Sequence, residues 1–195
     1  MNTTKRGNNF ENRVYAYLQE ALSQDNLFVP QKTSRIFQKK GYFSRDRQSD
    51  IITDISIETS IPGADEYSLL TIIECKGGNG TIPVDDMEEF HSKIQQIAGD
   101  NVKAIFVSTS ALQKGALSYA QSKKIAVVRF LPMDQVEWVS YHMPPNRMEF
   151  LNPIEFNSAF TNQGHVGRNR SFYGCDELSI YSDLFSLLNG FLNRA

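Results

Sequence analysis

The chain has 195 residues, 41% hydrophobic and 22% charged, with a formal net charge of -2. That length suits one domain with an appendage and allows a real core. The balanced charge gives no global polyanion-binding signal, so nucleic-acid contact must be argued from local charge. No apolar run approaches the roughly 18 residues that span a bilayer. The polar start, Met1 to Asn9, lacks the apolar segment of a secretory signal. Cys75 and Cys175 are too few and too far apart for a disulfide framework or a metal-ligand set. A reduced, cytoplasmic protein is expected.

Phe10, Val14, Leu18 and Leu22 recur every fourth position, predicting a helix from Asn8 to Gln24 with one buried face and Asn8 or Asn9 as its cap. Leu27 to Val29 reads as a short extended piece, and the segment up to Gln48 as a polar, basic connection. Between Lys32 and Arg47 stand six basic residues (Lys32, Arg35, Lys39, Lys40, Arg45, Arg47) against Asp46, a local charge of +5. Phe37, Tyr42 and Phe43 are interleaved. This is the composition of a phosphate-contacting segment, as it is of a solvated basic loop. Lys39, Lys40, Arg45 and Arg47 are its candidate DNA-binding residues.

Ile51 to Glu58 alternates with period two and predicts a strand. Pro62-Gly63-Ala64-Asp65 is turn chemistry, and Leu69 to Cys75 is a continuous apolar strand suited to the middle of a sheet. Gly77-Gly78-Asn79-Gly80 ends it; no Lys-Ser or Lys-Thr follows to make a phosphate loop. Pro83 leads into a helix with Asp85 and Glu88 at capping-box spacing and Met87, Phe90, Ile94 and Ile97 on its apolar face. A strand at Val102 to Ser108, a helix at Ala111 to Ser122 and a strand at Ile125 to Phe130 complete an α/β fold, a mixed sheet flanked by helices. Residues 1–130 form this core. Residues 131–195 are a C-terminal extension with a strand candidate at Val136 to Tyr141, a loop from Gly164 to Gly174, and a helix from Ser182 to Phe191. The apolar face of that last helix calls for a partner surface, in this chain or in a second copy.

Glu74 and Lys76 lie two apart in the apolar strand, so their side chains leave one face of the sheet while Cys75 points to the other. With the turn at about Gly63 to Ala64, Asp54 falls across from Ile73 or Glu74. Two carboxylates adjacent in an apolar pair of strands repel unless a cation lies between them. Carboxylate oxygens suit Mg2+ (or Mn2+), the Cys75 carbonyl offers a further ligand, and a lysine beside them can stabilise charge developing on a phosphate. A lone Glu-x-Lys in a strand is usually a solvated face. Here Leu69, Leu70, Ile72 and Ile73 surround the pair, and charge in a central strand needs a reason. Asp50 shares the parity of Asp54 and rivals it. Gln95, on the following helix, is a possible accessory.

The order of Asp54, then Glu74-Cys75-Lys76, then Val84-Asp85-Asp86 opening a helix resembles the PD-(D/E)XK nuclease superfamily, in its restriction-endonuclease-like Mrr type. The resemblance covers about Asn8 to Phe130. It implies an αβββαβ-type core and a DNA-cleaving endonuclease of restriction, defence or repair. The roles it implies are metal binding for Asp54 and Glu74, assistance to the attacking water for Lys76, and a further acid on the first helix, matched by Glu11 in Asn9-Phe10-Glu11. Thr53 stands where the family motif has proline. Homodimers would suit double-strand cleavage. The rival reading is a catalytically inactive DNA-binding or protein-interaction module that retains the fold; the complete set Glu11, Asp54, Glu74 and Lys76 argues against it.

Overall fold

The computed structural model describes residues 3–27, 29–78, 80–98, 101–137, 153–168 and 170–192. The four-residue apolar spacing at the start produces helix α1 (Thr3–Ser23). It begins before the predicted cap, so Asn8 and Asn9 lie inside it. Gly7 gives the reason: the added turn rests against the loop after the central strand, where a Cβ on Gly77 would stand 3.6 Å from the Gly7 Cα and 3.4 Å from the Phe10 Cβ. Leu27 and Val29 are buried beneath α1 without forming a strand.

The basic stretch, read as a connection, contains strands β1 (Ser34–Gln38) and β2 (Gly41–Ser44). The predicted strand from Ile51 to Glu58 is divided at Thr53 and Asp54 into β3 (Ser49–Ile52) and β4 (Ile55–Thr59). A turn with Gly63 at φ 87° leads to β5 (Leu69–Lys76). Helix α2 (Val84–Ala98) starts two residues earlier than the capping box implied, which puts Asp85 and Asp86 in its first turn, a favourable place for negative charge. Then follow β6 (Val102–Ser108), α3 (Lys114–Ser122) and β7 (Ala126–Phe130). Helix α3 starts after Leu112, because Leu112 is bridged to Ile82 and its N–H donates to the Phe160 carbonyl at 2.7 Å.

Beyond β7 come β8 (Val136–Glu137), α4 (Pro153–Thr161), β9 (Gly167–Arg168), β10 (Phe172–Cys175), β11 (Ile180–Tyr181) and α5 (Leu184–Leu192). The rest of the Val136 to Tyr141 strand candidate lies outside the described residues. The expected loop from Gly164 to Gly174 carries β9 and most of β10. Phe-Tyr-Gly-Cys is too short a run to read as a strand, yet all four residues are buried. Gly174 is required there: a Cβ would meet the Leu187 side chain at 2.6 Å and the Phe172 ring at 2.9 Å.

The main sheet has the order β1-β4-β5-β6-β7-β10-β11. The β5/β6 and β6/β7 pairs are parallel and the others antiparallel, a mixed sheet. Within the extension, β10 and β11 therefore lengthen the sheet of the core, through β10 on β7. Helices α2, α3 and α4 cover one face over Leu70, Ile72, Phe106 and Val127. Helices α1 and α5 cover the other over Ile55, Ile57, Ile73 and Val107. The surface that α5 needs is thus this chain's own sheet. Arg129 on β7 is fully buried and donates to the carbonyls of Ala159 and Asn162, tying the end of α4 to the sheet.

Candidate active site

Strands β1–β2 and β3–β4 are the two arms of one long bent hairpin. Gln38 faces Ile55 and Gly41 faces Ile52, so the register is unbroken while the ladder is interrupted between them. At the bend the Lys39 N–H donates to the Asp54 carbonyl at 2.9 Å and the Thr53 N–H to the Lys40 carbonyl at 3.0 Å. Lys39 has φ 54°, the left-handed region that side-chain-bearing residues seldom adopt. The bend turns β2–β3 off the sheet toward α2, where Arg47 Nε donates to Gln96 Oε1 at 2.8 Å. The Tyr42 hydroxyl donates to Ser56 Oγ at 2.8 Å. A ribbon joined on one side only thus overhangs the end of β4.

Asp54 sits at that bend. Because Ile55 pairs with Ile73, Asp54 falls opposite Glu74 where the β4–β5 ladder ends. Its Oδ2 accepts the Cys75 N–H at 2.9 Å, which fixes the carboxylate across the strand end. Its Oδ1 is 2.5 Å from Lys39 Nζ, and the same ammonium lies 2.6 Å from Glu11 Oε2. The Glu11 side chain, on α1, is only 6% exposed, and its other oxygen accepts Gln38 Nε2 at 2.9 Å. Burial works against the Lys39 ammonium, but hydrogen bonds and charge from Asp54 and Glu11 outweigh it and raise its pKa.

Glu74 leaves the α2 face of β5 and pairs with Lys93 Nζ at 3.2 Å; Lys93 also reaches Glu89 at 3.2 Å. Burial, then the charge of Asp54, raises the Glu74 pKa against the opposing pull of Lys93. Lys76, at the mouth, pairs with Asp86 at 3.0 Å. Desolvation, followed by the charges of Asp54, Glu11 and Glu74, pushes the pKa of the Cys75 thiol well up. It is a packing thiol; its backbone is what meets the acids.

Glu11, Asp54, Glu74 and Lys76 therefore gather at one end of the sheet. Asp50 does not join them: it is exposed on the ribbon opposite Phe43, since the bend separates its arm from β4. Gln95 also points elsewhere, into a cavity of about 470 Å³ at the far end of β5 beside Leu69 and Asn101. Among the four basic candidates, Lys39 holds the acids, Lys40 pairs with Glu58 at 2.5 Å, Arg47 holds Gln96, and Arg45 is exposed. The sequence does not single out Lys93 or Gln38, and it marks Asp86 only as part of the segment opening α2, not as the partner of Lys76. Lys93 stands beside Ile94 at the edge of the apolar helix face, and that edge position was its one signal.

The donors suit a hard divalent cation, since carboxylate oxygens are its preferred ligands. Glu11 Oε2 and Asp54 Oδ1 already converge on one cation, the Lys39 ammonium, and Glu74 lies close enough for its charge to be coupled to that of Asp54. Among the described residues no three acidic, His or Cys side chains meet at a single point. The chemistry of the donor set fits such a cation, and in this structure the Lys39 ammonium stands between two of the oxygens.

The restriction endonuclease family Mrr_cat matches residues 24–135, more than half of the chain. The chain belongs to the restriction endonuclease family. Its mixed sheet flanked by helices is the restriction-endonuclease-like fold, and the acids at the end of β4 and β5 lie within the matched nuclease domain, with Glu11 supplied from before it. Two solved structures are similar over part of the chain. One is a protein of unknown function, 12% identical over 50% of each chain with a TM-score of 0.39. The other is a repair endonuclease from Pyrococcus abyssi, 18% identical over 49% of this chain and 37% of that one, with a TM-score of 0.33. This chain thus spans half or less of their length. No curated protein matches it in sequence. Among the described residues no helix is long and apolar enough to cross a membrane.

Proposed function

We propose that this restriction endonuclease family member is a Mg2+-dependent endonuclease that hydrolyses DNA phosphodiester bonds in restriction, defence or repair. The observation that carries the reading is the meeting of Asp54 and Glu74 at matched ends of β4 and β5, beneath the buried Glu11 and beside Lys76. Asp54, Glu74 and the Cys75 carbonyl would hold the metal, with Glu11 as a further acid. When bound, the metal supplies Lewis acidity to a phosphate oxygen.

The remaining work falls to the chain. The Cys75 N–H holds the Asp54 carboxylate in one orientation. Lys76, on a half-exposed stem, turns from Asp86 to the scissile phosphate and stabilises the charge that grows there, or orients the attacking water. The ribbon's exposed Arg45 and Arg47 would lie along the backbone phosphates.

The test is nicking of supercoiled plasmid with Mg2+, Mn2+ or chelator, by wild type, Asp54→Asn and Glu74→Gln. Cleavage by wild type with metal alone, lost in both variants, is the expected result. Chelator-insensitive cleavage, or none with any divalent metal, would refute the proposal.

A further inference from the structure

The ammonium between Glu11 and Asp54 is set there by the backbone. Lys39 is the cross-strand neighbour of Asp54 at the hairpin bend, its N–H is bonded to the Asp54 carbonyl, and its left-handed φ directs the side chain back over the strand end toward α1. The stem of Lys39 is 52% exposed, whereas the side chains it joins are 6% and 18% exposed. The lysine is free to leave into solvent, and the acids are not. The other pairs differ: Lys93 divides itself between Glu74 and an exposed Glu89, and Lys76 reaches Asp86 away from the acids. Lys39 alone among these lysines spans Asp54, assigned to metal binding, and the further acid Glu11. A divalent cation seeks the same two oxygens, and two cations cannot share a gap only a few ångströms wide.

We propose that Lys39 is a built-in counter-cation that competes with the divalent metal for Glu11 and Asp54, and that backbone phosphate couples DNA binding to metal loading by drawing its ammonium away. This rests on the nuclease reading. By linkage, whatever DNA adds to metal affinity, metal adds to DNA affinity. The arrangement keeps the carboxylates neutralised until substrate arrives.

Calorimetric Mn2+ titration of the full chain tests it, with wild type, Lys39→Met and Lys39→Arg compared without DNA, then with a duplex in a Lys76→Ala background that slows cleavage. Lys39→Met should bind metal about tenfold or more tightly without DNA, within the usual range of coupling between sites. Lys39→Arg, which keeps the cation, should stay near wild type. The duplex should tighten metal binding where Lys39 is present, and much less in Lys39→Met. In melting experiments, metal should raise the Tm of Lys39→Met more than that of wild type, because bare Glu11 and Asp54 repel. If Lys39→Met does not fold without metal, Lys39→Gln takes its place. Equal or weaker metal binding by the neutral variants overturns the inference and leaves the nuclease reading standing. Absence of metal binding in every form overturns both.

Discussion

Lys76 and its partner Asp86 offer the sharpest separation of catalysis from binding. Their pair, at 3.0 Å, has a lysine 48% exposed, so solvent screens it and it is worth at most about 1 kcal/mol, or roughly fivefold in an equilibrium. Swinging Lys76 onto a phosphate is therefore inexpensive. Lost charge stabilisation in the transition state is larger, about 100- to 1000-fold in kcat for one such donor. Lys76→Ala should accordingly cleave about 100-fold or more slowly in single-turnover plasmid nicking. It should still bind metal, through Asp54 and Glu74, and DNA, through the ribbon. Asp86→Ala should stay within about fivefold of wild type, because it removes only the resting partner. Cleavage by Lys76→Ala at the wild-type rate would refute the role given to this lysine. A parallel loss in Lys93→Ala would move that role to the ammonium that already touches Glu74.

Glu74 should cost stability. Its pKa is raised by burial and by Asp54, so the folded state favours the protonated form. The destabilisation is fully present above the folded pKa and gone below the unfolded value near 4.5. Metal-free Glu74→Gln should thus melt higher than wild type at pH 7, by a margin that closes as the pH falls toward 4.5; a lower Tm at pH 7 would contradict this. Arg45→Ala with Arg47→Ala should reduce the slope of log K against log salt for DNA binding by about 2, one counterion for each phosphate no longer neutralised. An unchanged slope in filter binding would remove the ribbon tip from the interface.

The acids were legible because strand arithmetic survives burial. Asp54 was placed across from Ile73 or Glu74 by counting from the turn, and the β4–β5 register puts it at Glu74. The layered core was legible from apolar periodicity in α1, α2 and β5. The bend was not. Ile51 to Glu58 alternates without a break, and no glycine, proline or bulge marks Thr53-Asp54; the departure lies on the opposite arm, in the left-handed φ of Lys39. Reading the strand as continuous kept Asp50 as a rival, and reading Lys32 to Arg47 as a loop hid β1 and β2. Their residues do not alternate, since Ile36-Phe37 and Tyr42-Phe43 are adjacent apolar pairs, and the basic side chains around them suggest a solvated segment. Strand β10 escaped for a related reason, since its burial depends on β7 and α5, which lie far away in sequence.

The bend also explains why the basic residues divide their work. On a straight hairpin, Lys39 and Lys40 would simply leave opposite faces of one strand. With the chain turned at Lys39, one ammonium drops onto Glu11 and Asp54, the next is held over the Phe37 ring and on Glu58, and only the arm beyond carries its charge outward. One local backbone choice thus parts a run of like charges, setting one ammonium on the acids and leaving Arg45 and Arg47 exposed at the ribbon tip, where the proposed reading puts phosphate. Asp54 lies at the bend, bonded through its carboxylate to β5 and through its carbonyl to Lys39, so on the proposed reading a ribbon displaced by DNA would pull on the same residue that would hold the metal.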